Sequence, residues 1–227
     1  MPRSRKRHIL VTLGPTWEFI DPIRFITNRA TGTLGYQIAQ EGLRRGHRLT
    51  CVAGPTTLTP LSGVRWIPVV SAEEMYRAVA AVFPKADALV MTAAVSDYRA
   101  AKRFPAKLKR RSRQIFLPLV QNRDVLKEMS QRRRHQVLVG FALETERVER
   151  QALKKLREKE LDLLVANVLN YRHDPFGAGP VSGYFLWKDG RCQKVARVSK
   201  KRLSRILFDA IEALIASRHI REGKSAR

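Results

Sequence analysis

Short apolar runs alternate with segments of helical period along most of the chain, the pattern of a mostly parallel sheet covered by helices on both faces. Six runs read as strands: 8–13, 48–53, 65–69, 87–92, 136–141 and 161–166. Helical spacing fits 33–45, 72–83, 123–132 and 146–159, and Ser71 with Glu74 makes a capping-box signature for the second helix. Near the C-terminus the pattern changes. Gly183–Trp187 and Arg191–Val198 flank Lys188-Asp189-Gly190, which predicts a β-hairpin with an Asp-Gly turn. A final helix begins near Ser199 and carries Leu203, Ile206, Leu207 and Ile211 on one stripe. The polar, basic residues after Ser217 are expected to fray. The expected organisation is a basic extension over 1–7, one domain over 8–217 and a basic tail over 218–227.

Composition narrows the class. A chain of 227 residues with 44% hydrophobic positions can bury a proper core. It has no apolar run of eighteen residues, so no ordinary transmembrane helix is expected. The start runs from basic residues directly into the first strand pattern, unlike a signal peptide, and the expected location is the cytoplasm. Cys51 and Cys192 give neither a metal cluster nor a disulfide framework. Charge changes the picture most: 44 Lys and Arg against 20 Asp and Glu leave a formal +24. Residues 99–113 hold eight of the basic residues and no acid, with further clusters at Arg132–Arg134, Lys154–Arg157 and Lys200–Arg202. Such an excess attracts polyanions and phosphorylated small molecules alike, although charge runs usually lie on solvated faces.

Two connections are too long for tight turns, from Gly14 to Gly32 and from Asp97 to about Arg113. Long loops at the carboxyl ends of strands in such a sheet are where ligands usually bind. The first connection lacks G-x-G-x-x-G, and the second strand ends in Ala53-Gly54-Pro55 without an acid for an adenosine ribose. Both absences count against NAD. Gly32 and Gly35 fit either a phosphate at a helix N-terminus or close helix–strand packing. Asp97, in the Ala93–Tyr98 segment after the fourth strand, suits a turn, a helix cap, a hydrogen bond to a base or ribose, or a metal. Asn122 fits a cap for the helix at 123. Lys155 and Lys159, four apart, share one helix face. No nucleophile–base set is visible: Cys51 reads as a buried structural thiol, and His173 beside Asp174 carries no signal.

Together, five collinear segments resemble the phosphopantothenate–cysteine ligase family, also called phosphopantothenoylcysteine synthetase. They are Val11–Thr16, Asp21–Gly32, Ala93–Arg99, Gly140–Thr145 and Leu161–Asn167, and the match runs from about Ile9 to Leu214. The resemblance implies a three-layer α/β domain with a modified Rossmann-like sheet. It implies that the carboxylate of 4′-phosphopantothenate attacks a nucleoside triphosphate, giving an acyl-nucleotide, after which the amine of cysteine displaces the nucleotide. CTP is the expected nucleotide, with ATP as the alternative, and Mg²⁺ the expected metal, its ligands unassigned. Ala93 and Asp97 are expected on the nucleotide, Asp97 at its ribose or base. Lys107 is expected on the triphosphate during activation. Arg123, Asp124, Val125 and Leu126 are expected to present helix-terminal N–H groups to phosphates, with Phe141 alongside and Lys155 and Lys159 as further contacts. Asn28 is expected at the acyl-nucleotide, with Arg24 and Ala94 in the later half-reaction. Thr33, Gln121 and Arg123 depart from the family pattern, which has lysine, lysine and proline there.

The resemblance also implies a homodimer with each active site at a subunit interface, and a separate flavin-dependent decarboxylase as pathway neighbour. Two other classes compete. The +24 charge suits a nucleic-acid-binding protein, although no recognised motif of that class is present. An NAD-dependent oxidoreductase fails on the missing glycine fingerprint.

Overall fold

A computed structural model describes residues 6–110, 114–144, 147–168 and 179–225, with side chains described to Arg218. Arg111, Arg113, Thr145, His173, Asp174 and most of the N-terminal extension lie outside the described residues. In chain order the strands are β1 (His8–Leu13), β2 (Glu18–Phe19), β3 (Phe25–Ile26), β4 (Arg48–Ala53), β5 (Arg65–Pro68), β6 (Ala88–Met91), β7 (Tyr98–Ala100), β8 (Leu119–Gln121), β9 (Val137–Glu144), β10 (Leu163–Val168), β11 (Val181–Trp187) and β12 (Cys192–Val198). The helices are α1 (Thr33–Arg44), α2 (Ala72–Val82), α3 (Val125–Gln131), α4 (Val148–Glu158) and α5 (Lys200–Ser225).

One eight-stranded sheet has the order β12-β11-β10-β9-β6-β1-β4-β5. Its pairings from β5 to β10 are all parallel, and β11 and β12 add an antiparallel hairpin at the β10 edge. Counted along the chain, the parallel strands stand in the Rossmann order 3-2-1-4-5-6, with the order reversing between β1 and β6. The expected three-layer, mostly parallel α/β fold with a terminal hairpin and helix is therefore present. Gly190, at φ +92°, takes the left-handed position of the β11–β12 turn, as the Asp-Gly pair predicts.

Strand alternation sorts side chains to two faces. Ile9, Val11 and Leu13 join Ile38, Leu207, Phe208 and Ile211 under α1 and α5. Leu10 joins Met75, Val79, Met129 and Leu156 under α2, α3 and α4. Gly35 permits the close approach of α1: a Cβ there would lie 2.4 Å from the Thr92 hydroxyl and 2.6 Å from Leu13 Cβ. The close-packing reading of this glycine is thus sufficient. Ser71 caps α2 by accepting from Glu74 N–H at 3.2 Å, and the Glu74 carboxylate returns to Val70 N–H at 2.8 Å.

Three expectations are corrected. Asp124, not Asn122, caps α3, accepting from Lys127 N–H at 3.1 Å. The last helix continues past Ser217, because Arg218 donates to the carbonyls of His135 and Gln136 and pairs with buried Asp162. The first long connection contains a short antiparallel pair, β2 with β3, and the second excursion extends to Gln121 and pairs β7 with β8. These excursions dock on each other. Phe104 N–H donates to Ile20 O at 2.8 Å, and the Arg103 guanidinium lies 5.0 Å from the Phe19 ring centre. Trp17 and Phe25 stack at 4.3 Å beneath them. Strands of two or three residues carry no readable period, so the pattern gave no sign of them. Among the described residues no helix is long and apolar enough to cross a membrane.

Candidate functional site

A crevice of about 770 Å³ opens at the carboxyl ends of the parallel strands, over the point where strand order reverses. The β1–β6 ladder continues into the loops and shapes its floor. Ala94 N–H donates to Gly14 O at 2.9 Å, and Thr16 N–H returns to Ala94 O at 3.3 Å. Asn28 also reaches this carbonyl, donating from Nδ2 at 3.1 Å. Asn28 and Ala94, sixty-six residues apart, thus share one hydrogen bond. Thr27 fixes the turn beside them by donating from Oγ1 to Thr16 O at 2.8 Å. Gly32, at φ +82°, lets the chain turn into α1 at the near wall.

Asn122 closes the opposite wall. It donates from Nδ2 to Ser96 O at 2.8 Å and from its backbone to Asp97 O at 2.7 Å, clamping the loop after β6 to the entry of α3. Its amide is therefore committed to loop–loop contact rather than to a helix cap. Asp97 itself is exposed at the crevice. Arg123 lies over the Tyr76 ring at 4.8 Å and approaches Glu73 and Glu128 at 3.5 Å. Lys155 pairs with Glu144 at 2.7 Å and Lys159 with Asp124 at 2.9 Å. The shared face expected for these lysines is real, and each ammonium carries a carboxylate partner. A polyphosphate entering here would compete with carboxylates for both lysines.

All but two of the expected site residues line this crevice: Asn28, Ala93, Ala94, Asp97, the Arg123–Leu126 stretch, Phe141, Lys155 and Lys159. Arg24 and Lys107 do not. They lie in the docked excursions, where Arg24 donates to Leu108 O at 3.3 Å. Among the lining residues not assigned a role in the sequence, two are buried polar side chains, Asn167 and Lys200. Asn167 lies near the carboxyl end of β10, is 8% exposed, and its Oδ1 has no hydrogen-bond partner among the described residues. Its place at a strand's carboxyl end was the available signal. Lys200, buried at the start of α5, reads in sequence as part of a surface cluster.

The remaining chemistry is quiet. Cys51 is fully buried, and burial pushes its thiol up to about 12, so it is a structural thiol. Gly54, after β4, packs directly against the Pro15 carbonyl, where an added Cβ would collide. The end of β4 therefore offers a ribose no acid, and Gly54 no side chain. Among the described residues no three His, Cys, Asp or Glu converge as a metal site.

Comparison with known proteins shows the family and the fold. Residues 4–215 match the DNA/pantothenate metabolism flavoprotein C-terminal domain family. The coenzyme A biosynthesis bifunctional protein CoaBC of Bacillus subtilis is 38% identical over 209 residues, covering 92% of this chain and 52% of that protein. The Escherichia coli K12 protein of the same name is 35% identical, covering 90% and 51%. The chain spans about half the length of these relatives. The crystal structure of a C-terminal domain of CoaBC superposes with a TM-score of 0.81 at 34% identity, covering 95% of this chain and 99% of that one. A Cab2 mutant in complex with phosphopantothenate-cysteine shares the fold, with a TM-score of 0.73 at 16% identity over 98% of this chain and 90% of that one. The chain belongs to the DNA/pantothenate metabolism flavoprotein C-terminal domain family, in agreement with the resemblance carried by its five motif segments.

Proposed function

We propose that this chain is a phosphopantothenate–cysteine ligase of coenzyme A biosynthesis, using CTP to activate the carboxylate. The observation that carries the reading is the convergence of Asn28, Ala94, Asp97, Phe141, Lys155 and Lys159 on one crevice at the sheet's switch point. In the first step a carboxylate oxygen of 4′-phosphopantothenate attacks the α-phosphorus of CTP. The bond to the bridging oxygen breaks and pyrophosphate leaves. In the second step the cysteine amine attacks the acyl carbon, loses a proton, and CMP departs with the electron pair of the acyl C–O bond. A carboxylate oxygen is a poor leaving group until it is part of a phosphate ester, which is why the nucleotide is consumed. No covalent enzyme intermediate is required, in keeping with the inert Cys51.

Lys155, Lys159 and Lys107 are the cations assigned to phosphate charge, and Asp97 the acceptor for ribose or base. Asn28, held on Ala94 O, is assigned to the acyl-nucleotide together with Arg24. Magnesium fits this site as a triphosphate complex, which needs at most one or two protein carboxylates, and Asp97 is exposed at the crevice. A bound Mg²⁺ would neutralise charge developing on the phosphate oxygens.

A homodimer completes the reading. The docked excursions expose Ile23, Tyr98, Ile115 and Phe116, the last at 89%, apolar side chains suited to covering by a second copy. Arg24 and Lys107 lie on these excursions, outside their own chain's crevice, in keeping with a site at the subunit interface. The pathway neighbour is a flavin-dependent decarboxylase.

The test incubates purified protein with phosphopantothenate, cysteine, Mg²⁺ and each nucleotide in turn, following pyrophosphate and nucleoside monophosphate. Lys107→Gln should abolish pyrophosphate release, and Asn28→Asp should let the acyl-nucleotide accumulate. Absence of ligation with every nucleotide would end the reading. Salt-sensitive duplex binding that survives excess CTP would instead favour the nucleic-acid reading suggested by the +24 charge.

A further inference from the structure

The two cationic residues outside the crevice share an anchor. Asp21 begins the turn that carries Arg24, and its carboxylate is fully buried. Oδ1 accepts the N–H groups of Ile23 and Arg24, both at 2.8 Å. Oδ2 accepts Leu108 N–H and the Arg24 guanidinium, both at 3.2 Å. Arg24 then donates from both terminal nitrogens to Leu108 O at 3.3 Å. Both backbone groups of Leu108 are therefore taken by the Asp21–Arg24 pair, more than eighty residues away in the chain. Lys107 is the residue immediately before and is exposed.

Burial by itself would raise the Asp21 carboxyl. The three backbone N–H groups and the Arg24 charge outweigh it and hold the group below its ordinary value. The anchor is thus an ionised, buried carboxylate facing four donors, and such charge-assisted bonds are strong and directional.

We propose that Asp21 is a positioning residue for the ligation: it fixes Lys107 and Arg24 as one unit, so that the lysine of the activation step and the arginine of the later step engage together. The inference rests on the roles proposed above for those two side chains. Weakening Asp21 must then slow both half-reactions, although the carboxylate is sealed from solvent.

Asp21→Asn keeps the shape and turns one oxygen into an NH₂ group that faces donors. It is expected to lower kcat for pyrophosphate release and for CMP release by roughly 10- to 100-fold, the cost of misplacing a catalytic group by about 1 Å. KM for the nucleotide should change less than kcat, because the lost contact acts in the transition state. Hydrogen exchange at the Leu108 amide should accelerate at least about ten-fold, a change of about 1.4 kcal/mol in local opening. The Phe104 amide, bonded to Ile20 O, should keep its rate. Unchanged exchange at Leu108, or turnover within two-fold of wild type, would overturn the proposal. Should Asp21→Asn fail to fold, Leu108→Pro removes the N–H, and it also fixes φ there and restricts Lys107 before it. It should reproduce the kcat loss, whereas Leu108→Ala, which keeps the N–H, should turn over like wild type. Full activity of Leu108→Pro would equally refute the anchor. A wild-type chain that releases no pyrophosphate with any nucleotide would sink the ligation, while the exchange comparison would still decide whether Asp21 holds the Lys107 segment.

Discussion

Glu41 is buried on α1 with three guanidinium nitrogens on its carboxylate: Arg44 Nε at 2.8 Å, Arg44 Nη2 at 2.6 Å and Arg45 Nε at 2.9 Å. The hydrogen bonds from Arg44 dominate and hold its carboxyl down at about 2, against the opposing effect of burial, with Arg45 adding to the depression. A carboxyl whose folded value is depressed contributes stability that is complete above the ordinary value near 4.5. That stability is lost as pH falls toward about 2. Glu41→Gln should therefore cost about 1–3 kcal/mol at neutral pH. The deficit should vanish between pH 4.5 and 2, read from urea midpoints across that range. A deficit that persisted unchanged at pH 2 would assign the loss to packing instead. Part of the basic excess thus neutralises buried carboxylates, Glu41 and Asp162 among them. The sequence shows the arginines, but not which of them face an acid.

Helix α5 illustrates what an element's end depends on. Its apolar stripe is legible in the chain, and Phe208 fills the space that Gly42 leaves on α1, where a Cβ would lie 2.5 Å from the ring. Its length was not legible, because composition after Ser217 resembles a solvated tail. Arg218 decides the matter by reaching Asp162, which also accepts Leu138 N–H at 2.7 Å and pairs with Arg133 at 3.3 Å. Truncation after Ser217 removes one of two guanidinium partners from a buried carboxylate and the donor for two carbonyls. It should cost about 1–3 kcal/mol in urea unfolding, and Arg218→Met should reproduce most of the loss. A truncation with the parent midpoint would show that the helix end carries no weight. The hairpin β11–β12, by contrast, was readable to within two residues, since the Asp-Gly turn and the flanking strands are local signals.

Over the molecule as described, apolar exposure is concentrated on the docked excursions, which carry Ile23, Tyr98, Ile115, Phe116, Leu119 and Val120. Phe116 is 89% exposed, with Ile115 and Leu119 nearby in the chain and Tyr98 on β7, the strand paired with β8, each about half exposed or more. If this patch is the proposed subunit contact, Phe116→Asp should halve the particle mass from twice 25.9 kDa to 25.9 kDa in sedimentation. Ligation should fall with it while the thermal transition of the sheet domain persists. A wild-type particle of 25.9 kDa that ligates at full rate would remove the need for a partner. The +24 charge remains a property of the whole surface, and its expected mark is binding to polyanions that weakens steeply with salt.

Hydrophobic pattern, with turn and cap signals, was enough to place every strand of the main sheet and the five helices among the described residues, because burial of one face is a local demand that each segment must meet by itself. The same local chemistry marked Gly190 and the Ser71–Glu74 cap, whereas the five motif segments were marked by family resemblance. What local pattern could not encode is which distant groups meet. Asn28 reaches Ala94 O only because the ladder between β1 and β6 runs on into their loops. Asn122 and Asp124 are equally good caps in isolation, and the nearby Ser96 carbonyl assigns Asn122 to the other task. Arg24 and Lys107 belong to one cluster because a buried carboxylate, Asp21, has four donors to satisfy and finds one of them on the second long excursion. Such pairings are set by long-range docking of short, aperiodic segments, and they exist only once the chain has folded.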